Sequence, residues 1–257
     1  MEIKNSVFAI TGGGQGLGLA MACDLAASGA KLALIDLSQE KLTEAVALCQ
    51  QQGGEARAYQ CNVTDEAAVE ATFAQIKADF GELNGLINNA GLMRDGMLIK
   101  VKNGELLEKM SKQQWQSVID VNMTGTFLCG REAAAIMATQ PQTKDKGGVI
   151  INISSISRAG NMGQTNYSST KAGVATMVVS WAGELARHGI RVGGIAPGVI
   201  ATDMTAQMKP EAIDRMLQSV PLRRLGTQQE LAHSARYIIE NDFFTGRIIE
   251  MDGGLRI

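Results

Sequence analysis

Short β-rich runs alternate with helix-period segments along the first third of the chain, and this alternation constrains the fold more than any other feature. Residues 6–11 read as strand, 15–28 as helix, 31–36 as strand, 39–52 as helix, 56–61 as strand, 65–80 as helix and 85–89 as strand. Repeated strand–helix–strand units require parallel strands joined by right-handed crossovers. The outcome is an α/β fold, an open sheet with helices on both faces. Further along, 112–140 reads as a helix broken near Asp120 to Asn122, 148–154 as a buried strand, 165–188 as a long helix and 190–196 as a strand. After Pro197-Gly198 come helical stretches around 210–220 and 228–241, then a closing strand at 247–251. The count is seven strands. The long helix is apolar on most sides between Ala172 and Trp181, which predicts burial beyond its sheet-facing side, against another subunit.

At 257 residues, with 45% apolar side chains and a formal charge of −2, the chain suits one large globular domain spanning 1–257. No Pro-, Ser- or charge-rich linker and no internal repeat divides it. Acids are interleaved with bases, so there is no clustered Lys/Arg surface of the kind nucleic acid requires. Met1-Glu2-Ile3-Lys4 passes directly into an apolar strand, and no uninterrupted apolar run reaches membrane-spanning length. Cytoplasmic residence without membrane contact is the expectation. The four cysteines, Cys23, Cys49, Cys61 and Cys129, form no close pair along the sequence and read as reduced, mostly buried thiols. His188 and His233 lie in helix-like stretches without companion ligands, so no metal site is expected.

Between the first strand and its helix lies Thr11-Gly12-Gly13-Gly14-Gln15-Gly16-Leu17-Gly18. Such a turn suits phosphate. Helix N-terminal N–H groups and the positive end of the dipole attract an anion, and absent side chains let a pyrophosphate approach. The spacing is G-x-x-x-G-x-G rather than G-x-G-x-x-G. Asp36 ends the second strand, where a carboxylate accepts hydrogen bonds from adenosine ribose hydroxyls. A 2′-phosphate there would meet a like charge, Gln15 is neutral and Leu37 follows the acid, and no basic residue is evident nearby. NAD is therefore expected in preference to NADP.

Tyr167 and Lys171 stand at i and i+4 near the start of the long helix and share one face. A free tyrosine titrates near pH ~10, and a neighbouring ammonium is expected to lower that value. The strand at 148–154 leads into Ser154-Ser155, whose hydroxyls emerge at the carboxyl edge of the sheet. Asn122 sits at the helix break, from which its amide is expected to hold a water feeding the lysine.

Taken together, the glycine loop, Asn88-Asn89-Ala90-Gly91, Asn122, Ser154-Ser155, Tyr167-x-x-x-Lys171 and Pro197-Gly198 resemble, in their order, the short-chain dehydrogenase/reductase family. The resemblance spans essentially the whole chain. It is greatest to the 3-oxoacyl-acyl-carrier-protein reductases, which have a similar segment at Pro197-Gly198-Val199-Ile200-Ala201-Thr202-Asp203-Met204. It implies a doubly wound, Rossmann-like sheet of seven strands, a homotetramer with paired long helices, and a 3-oxoacyl thioester substrate, as in fatty acid biosynthesis, with presentation by acyl carrier protein an option. It also implies site roles. Tyr167 would be general acid in reduction and base in oxidation, Lys171 would hold the nicotinamide ribose, and Asn122 would complete a proton relay. Gly12, Gln15, Gly16, Leu17 and Gly18 would cradle the pyrophosphate, with Asp36 and Leu37 at the ribose. Asn62 and Val63 would flank adenine, although Asp is commoner than Asn at the first position. Asn89, Ala90, Gly91, Pro197 and Gly198 would line the cofactor, and Ile200 and Thr202 would lie near the nicotinamide carboxamide.

Two departures stand out. The stretch from Ser155 to Tyr167 is one residue shorter than the family's usual separation, so spacing selects Ser154 whereas the Asn-x-Ser-Ser register selects Ser155; Ser155 is the choice made here. The segment 98–109 is longer than in the reductases and carries Asn103-Gly104, a hairpin-turn signal. It is expected to form a small hairpin, either at the rim of the substrate cleft or as a remote excursion. Arg94, Lys100, Lys102 and Lys109 suit an acidic carrier, but Glu105 and Glu108 dilute that patch. Dehydrogenases of steroids, sugar alcohols or small diols, and a non-catalytic cofactor-binding sensor, are the alternative readings; the complete Asn, Ser, Tyr and Lys set disfavours the sensor.

Overall fold

Odd and even positions of each central strand enter different cores, as expected for a sheet covered on both faces. In the computed structural model, which describes residues 1–141, 147–202, 205 and 210–256, the strands are β1 (Val7–Thr11), β2 (Lys31–Asp36), β3 (Glu55–Gln60), β4 (Gly85–Asn88), β5 (Ile99–Lys102), β6 (Glu105–Lys109), β7 (Gly148–Ile153), β8 (Ile190–Pro197) and β9 (Arg247–Met251). The helices are α1 (Gly16–Ala27), α2 (Gln39–Gln51), α3 (Glu66–Phe80), α4 (Lys112–Ile119), α5 (Gly125–Thr139), α6 (Thr165–Leu185), α7 (Pro210–Leu217) and α8 (Gln228–Glu240).

Phe8, Ile10, Leu32, Leu34 and Ile151 pack beneath α1, α2 and α8. Val7, Ala9, Ala33, Ile35 and Ile150 pack beneath α3, α5 and α6. Each fully buried Leu, Ile or Phe contributes on the order of 1.5–3 kcal/mol. The seven-stranded sheet is parallel, in the order β3-β2-β1-β4-β7-β8-β9. The chain winds outward from β1 to β3, then returns to β4 on the other side of β1. The carboxyl ends of β1 and β4 thus flank a topological switch point, the place where ligands bind in such sheets. Thr11 and the glycine loop leave one side of it, and Asn88 to Gly91 leave the other.

The break expected within 112–140 is a π-helical turn, Asp120–Thr124, between α4 and α5. Such turns recur at functional sites because they rotate the side chains that follow. The long helix buries Val174, Val178 and Ala182 on its sheet side, whereas Val179 is 57% exposed. Its apolar outer side is therefore not covered within this chain.

The 98–109 insertion is a hairpin, with β5 antiparallel to β6. Asn103 (φ 53°) and Gly104 (φ 80°) are both left-handed, as the two-residue turn that matches strand twist demands. Its charged positions pair across the strands through Lys100 and Glu108, while Ile99, Val101, Leu106 and Leu107 are exposed. The root of the hairpin is tied to the segment entering α6. Gly96 N–H donates to Gly163 C=O at 2.8 Å, and Gln164 Nε2 donates to Asp95 Oδ2 at 2.8 Å. Among the described residues, no helix is long and apolar enough to cross a membrane.

Candidate active site

Four α-helix starts among the described residues carry a side-chain cap. Ser38, Asp65, Ser111 and Thr227 accept hydrogen bonds from first-turn N–H groups of α2, α3, α4 and α8. The start of α1 differs: Gln15 occupies the N-cap position without a capping hydrogen bond, and no acidic residue lies in the first turn. Its unsatisfied donors and dipole face the switch point.

The glycines fit that arrangement. Gly16 has φ +54°, and a Cβ there would meet nothing within 4 Å, so its backbone is open to a ligand. Gly12 has φ +62° and lies against Asn89. A Cβ on Gly18 would stand 2.1 Å from Gly12 O and 2.7 Å from Asn89 Nδ2, so α1 packs directly on the loop backbone. Gly18→Ala is therefore expected to destabilise the protein by about 1–3 kcal/mol or more, since backbone cannot yield as a flexible side chain does. A urea melt measures it, and an unchanged midpoint would contradict this packing.

The loop is braced from β4. Thr11 Oγ1 accepts from Asn89 N–H (3.0 Å) and Ala90 N–H (3.1 Å), and Asn89 Nδ2 donates to the carbonyls of Thr11 and Gly12. Thr11 stood in the motif, but no position-by-position reading of the sequence gave it this task. Asp36 Oδ2 accepts from Gly14 N–H at 3.1 Å and Oδ1 from Leu37 N–H at 2.8 Å, which aims the carboxylate at the loop. Leu37 is 63% exposed beside it. Leu17 is half-buried behind the loop. Asn62 is exposed, its Oδ1 accepting from the N–H and hydroxyl of Thr64, and Val63 is packed against Gly125 at the start of α5. These residues line the same end of the sheet as the loop. An uncapped helix start, an open glycine backbone and an aimed carboxylate together fit a dinucleotide.

One basic residue escaped the sequence reading. The capped first turn of α2 brings Lys41 back over the loop, where its ammonium donates to Gln15 Oε1. The expectation that no base lies near Asp36 is therefore corrected. The signal was present as a lysine five residues beyond the acid, but only the helical turn folds it back.

On the other side of the switch point, Tyr167 and Lys171 rise from the first turns of α6. Lys171 is 5% exposed, donates to Ile153 C=O at 2.7 Å, and has its Nζ 5.6 Å from the centre of the Tyr167 ring. Gly91 lies over the lysine: a Cβ there would be 3.6 Å from Asn122 Oδ1 and 3.8 Å from Lys171 Nζ. The two serines diverge. Ser155 stands near enough to the Tyr167 phenol to oppose its upward shift and accepts from Ser157 N–H, whereas Ser154 donates to Lys171 C=O at 2.8 Å, inside the packing of α6 on β7.

The expectation that the neighbouring ammonium lowers the Tyr167 phenol is corrected. Burial raises the Tyr167 phenol above its ordinary value, with Ser155 opposing and Asp95 reinforcing the shift. Burial also lowers Lys171 to about 8. The lysine is engaged by Ile153 C=O, and desolvation outweighs attraction between the two groups. Asn122, fully buried in the π-helical turn, uses its amide on the main chain of Leu92: Leu92 N–H donates to Oδ1 at 2.6 Å, and Nδ2 donates to Leu92 C=O at 3.0 Å and Thr170 Oγ1 at 3.2 Å. The amide thus fixes the chain leaving β4 over Lys171.

Pro197 ends β8, and Gly198 approaches Asp252 so closely that a Cβ would lie 2.7 Å from its Cα. Ile200 is buried and bridges to Gly226, and Thr202 N–H donates to Thr205 Oγ1 at 2.8 Å. Asp203 and Met204 lie outside the described residues. Cys23 and Cys49, distant in sequence, meet between α1 and α2 as free thiols, and burial pushes Cys49 up to about 12.

Residues 6–212 match the family model described as short chain dehydrogenase. The chain belongs to the short-chain dehydrogenase/reductase family. It is 35% identical over 260 residues, covering all of both chains, to the 3-oxoacyl-[acyl-carrier-protein] reductase FabG of Thermotoga maritima. It is 36% identical to the 3-oxoacyl-[acyl-carrier-protein] reductase of Rattus norvegicus, covering 98% of this chain and 99% of that one. Among solved structures, a 7α-hydroxysteroid dehydrogenase complexed with NADH and 7-oxo glycochenodeoxycholic acid superposes with a TM-score of 0.89 at 30% identity, covering 99% of this chain and 96% of that one. A putative short-chain alcohol dehydrogenase from Sinorhizobium meliloti 1021 gives 0.87, also at 30% identity, covering 99% and 98%. As a short-chain dehydrogenase/reductase, the protein is an oxidoreductase that uses a nicotinamide cofactor.

Proposed function

We propose that this enzyme reduces a 3-oxoacyl thioester to the 3-hydroxyacyl thioester with NADH. The reading is carried by Tyr167 beside buried Lys171 and Ser155, opposite an uncapped helix start whose glycine loop is met by the Asp36 carboxylate. When bound, the nicotinamide supplies the hydride. Gly12, Gln15, Gly16, Leu17 and Gly18 hold the pyrophosphate, Asp36 and Leu37 the adenosine ribose, and Asn62 and Val63 the adenine. Asn89, Ala90, Gly91, Pro197, Gly198, Ile200 and Thr202 line the rest of the dinucleotide site, and Lys171 takes the nicotinamide ribose. Ser155 orients the substrate carbonyl, and Tyr167 delivers the proton to its oxygen. Asn122 keeps Leu92 and Gly91 positioned above the lysine. Binding and chemistry share one domain, 1–257. The 3-oxoacyl-[acyl-carrier-protein] reductases among its relatives support the thioester, presented free or on a carrier protein. The uncovered outer side of α6, with Val179, supports assembly into a homotetramer, which would work in the cytoplasm.

A second reading, a steroid substrate, is favoured by the fit to the 7α-hydroxysteroid dehydrogenase and by the exposed Ile99, Val101, Leu106 and Leu107 of the hairpin tied to the segment that enters α6. A spectrophotometric panel of acetoacetyl thioester, simple ketones and a keto-steroid, each with NADH and NADPH, separates the two. The thioester with NADH is expected to give the highest kcat/KM, exceeding NADPH by at least about tenfold, or ~1.4 kcal/mol. A steroid optimum would replace the substrate reading, and an NADPH preference would remove the role given to Asp36.

A further inference from the structure

The adenosine-ribose end of the site holds opposed charges. Ser38 accepts from Lys41 N–H at 3.3 Å and so fixes the first turn of α2. The lysine stem then lies against the glycine loop: a Cβ on Gly14 would be 3.1 Å from Lys41 Cβ and 3.0 Å from Asp36 Oδ2. Gly14 is thus close to both an acid and the stem of a base. The Lys41 ammonium reaches Gln15 Oε1, the side chain that leaves α1 uncapped. Lys41 is exposed, and among the described residues it forms no ion pair with Asp or Glu. An ammonium has three donors, and this contact uses one. Asp36 suits ribose hydroxyls and repels a phosphate in their place, whereas Lys41, beside the same loop, does the opposite.

We propose that Lys41 is a specificity-determining residue that engages a phosphate on the 2′ position of the adenosine ribose, so that the balance between Asp36 and Lys41 sets how the enzyme divides between NADH and NADPH. NADPH then binds weakly rather than being excluded, its phosphate drawing the ammonium from Gln15. This inference rests on the dinucleotide reading of the loop.

Equilibrium binding tests it without turnover. Dissociation constants for NADH and NADPH come from cofactor fluorescence, and those for 5′-AMP and 2′,5′-ADP from displacement, with the native chain, Lys41→Ala, Lys41→Arg and Asp36→Ser. Lys41→Ala is expected to weaken NADPH and 2′,5′-ADP about tenfold, the low end of what one charge-assisted hydrogen bond contributes, and NADH and 5′-AMP less than about threefold. Lys41→Arg should keep most of the NADPH affinity, and Asp36→Ser should raise it. Equal losses for phosphorylated and unphosphorylated ligands, or no loss for either, would overturn the role of Lys41 while leaving the dinucleotide site intact. Failure of the native chain to bind any of the four ligands would instead remove the dinucleotide reading itself.

Discussion

Tyr167→Phe is expected to lower kcat for carbonyl reduction by about 10²–10⁴-fold while leaving the fold and NADH binding in place. The ring stays in the first turns of α6 and still packs beside Lys171, so only the hydroxyl that meets Ser155 is lost. Single-turnover measurement at saturating cofactor reads the proton-transfer step directly, and fluorescence titration checks that NADH still binds. The pH dependence of the native enzyme follows from the same group. Burial holds the phenol above its ordinary value, so the acid form dominates at neutral pH. Reduction is expected to stay level through neutrality and fall as pH rises through the raised value, while oxidation, which needs the phenolate, gains over that interval. Undiminished turnover in the phenylalanine variant would show that another group carries the proton.

The two adjacent serines should respond differently to the same substitution. Ser155→Ala removes the hydroxyl at the Tyr167 phenol, and kcat is expected to drop about 10²–10³-fold, as when one donor to a reacting oxygen is deleted. Ser154→Ala removes a buried hydrogen bond to Lys171 C=O, so it should cost about 1 kcal/mol of stability with only a small effect on kcat. Paired kinetics and denaturant melts of the two variants separate these effects. A larger kcat loss for Ser154→Ala would mean that the shortened stretch before Tyr167 has shifted the catalytic register by one residue.

Much of the fold could be read from local pattern. Strand periodicity in β1, β2 and β7 gives the two-sided burial, Asn103-Gly104 announces the hairpin, and the interruption near Asp120 marks the π-helical turn. The parts of the site that follow from spacing were equally legible, because Tyr167 and Lys171 lie on one helix face and the glycine loop joins a strand to a helix. The sense of the Tyr167 shift was not legible, since desolvation depends on what covers the ring and not on which residues flank it in the chain.

By itself the sequence determined the parallel α/β architecture, the glycine-rich strand-to-helix turn and the Tyr–Lys pair, because each depends on the helical or strand period over a few neighbouring residues. Tertiary structure alone decided which serine meets the phenol, that Asn122 spends its amide on Leu92, and that Lys41 returns to the loop beside Asp36. Successive side chains at a strand end point in different directions, and a long side chain on another element reaches a site only once packing has placed that element. Contacts of this kind depend on distances between segments, which local periodicity does not encode.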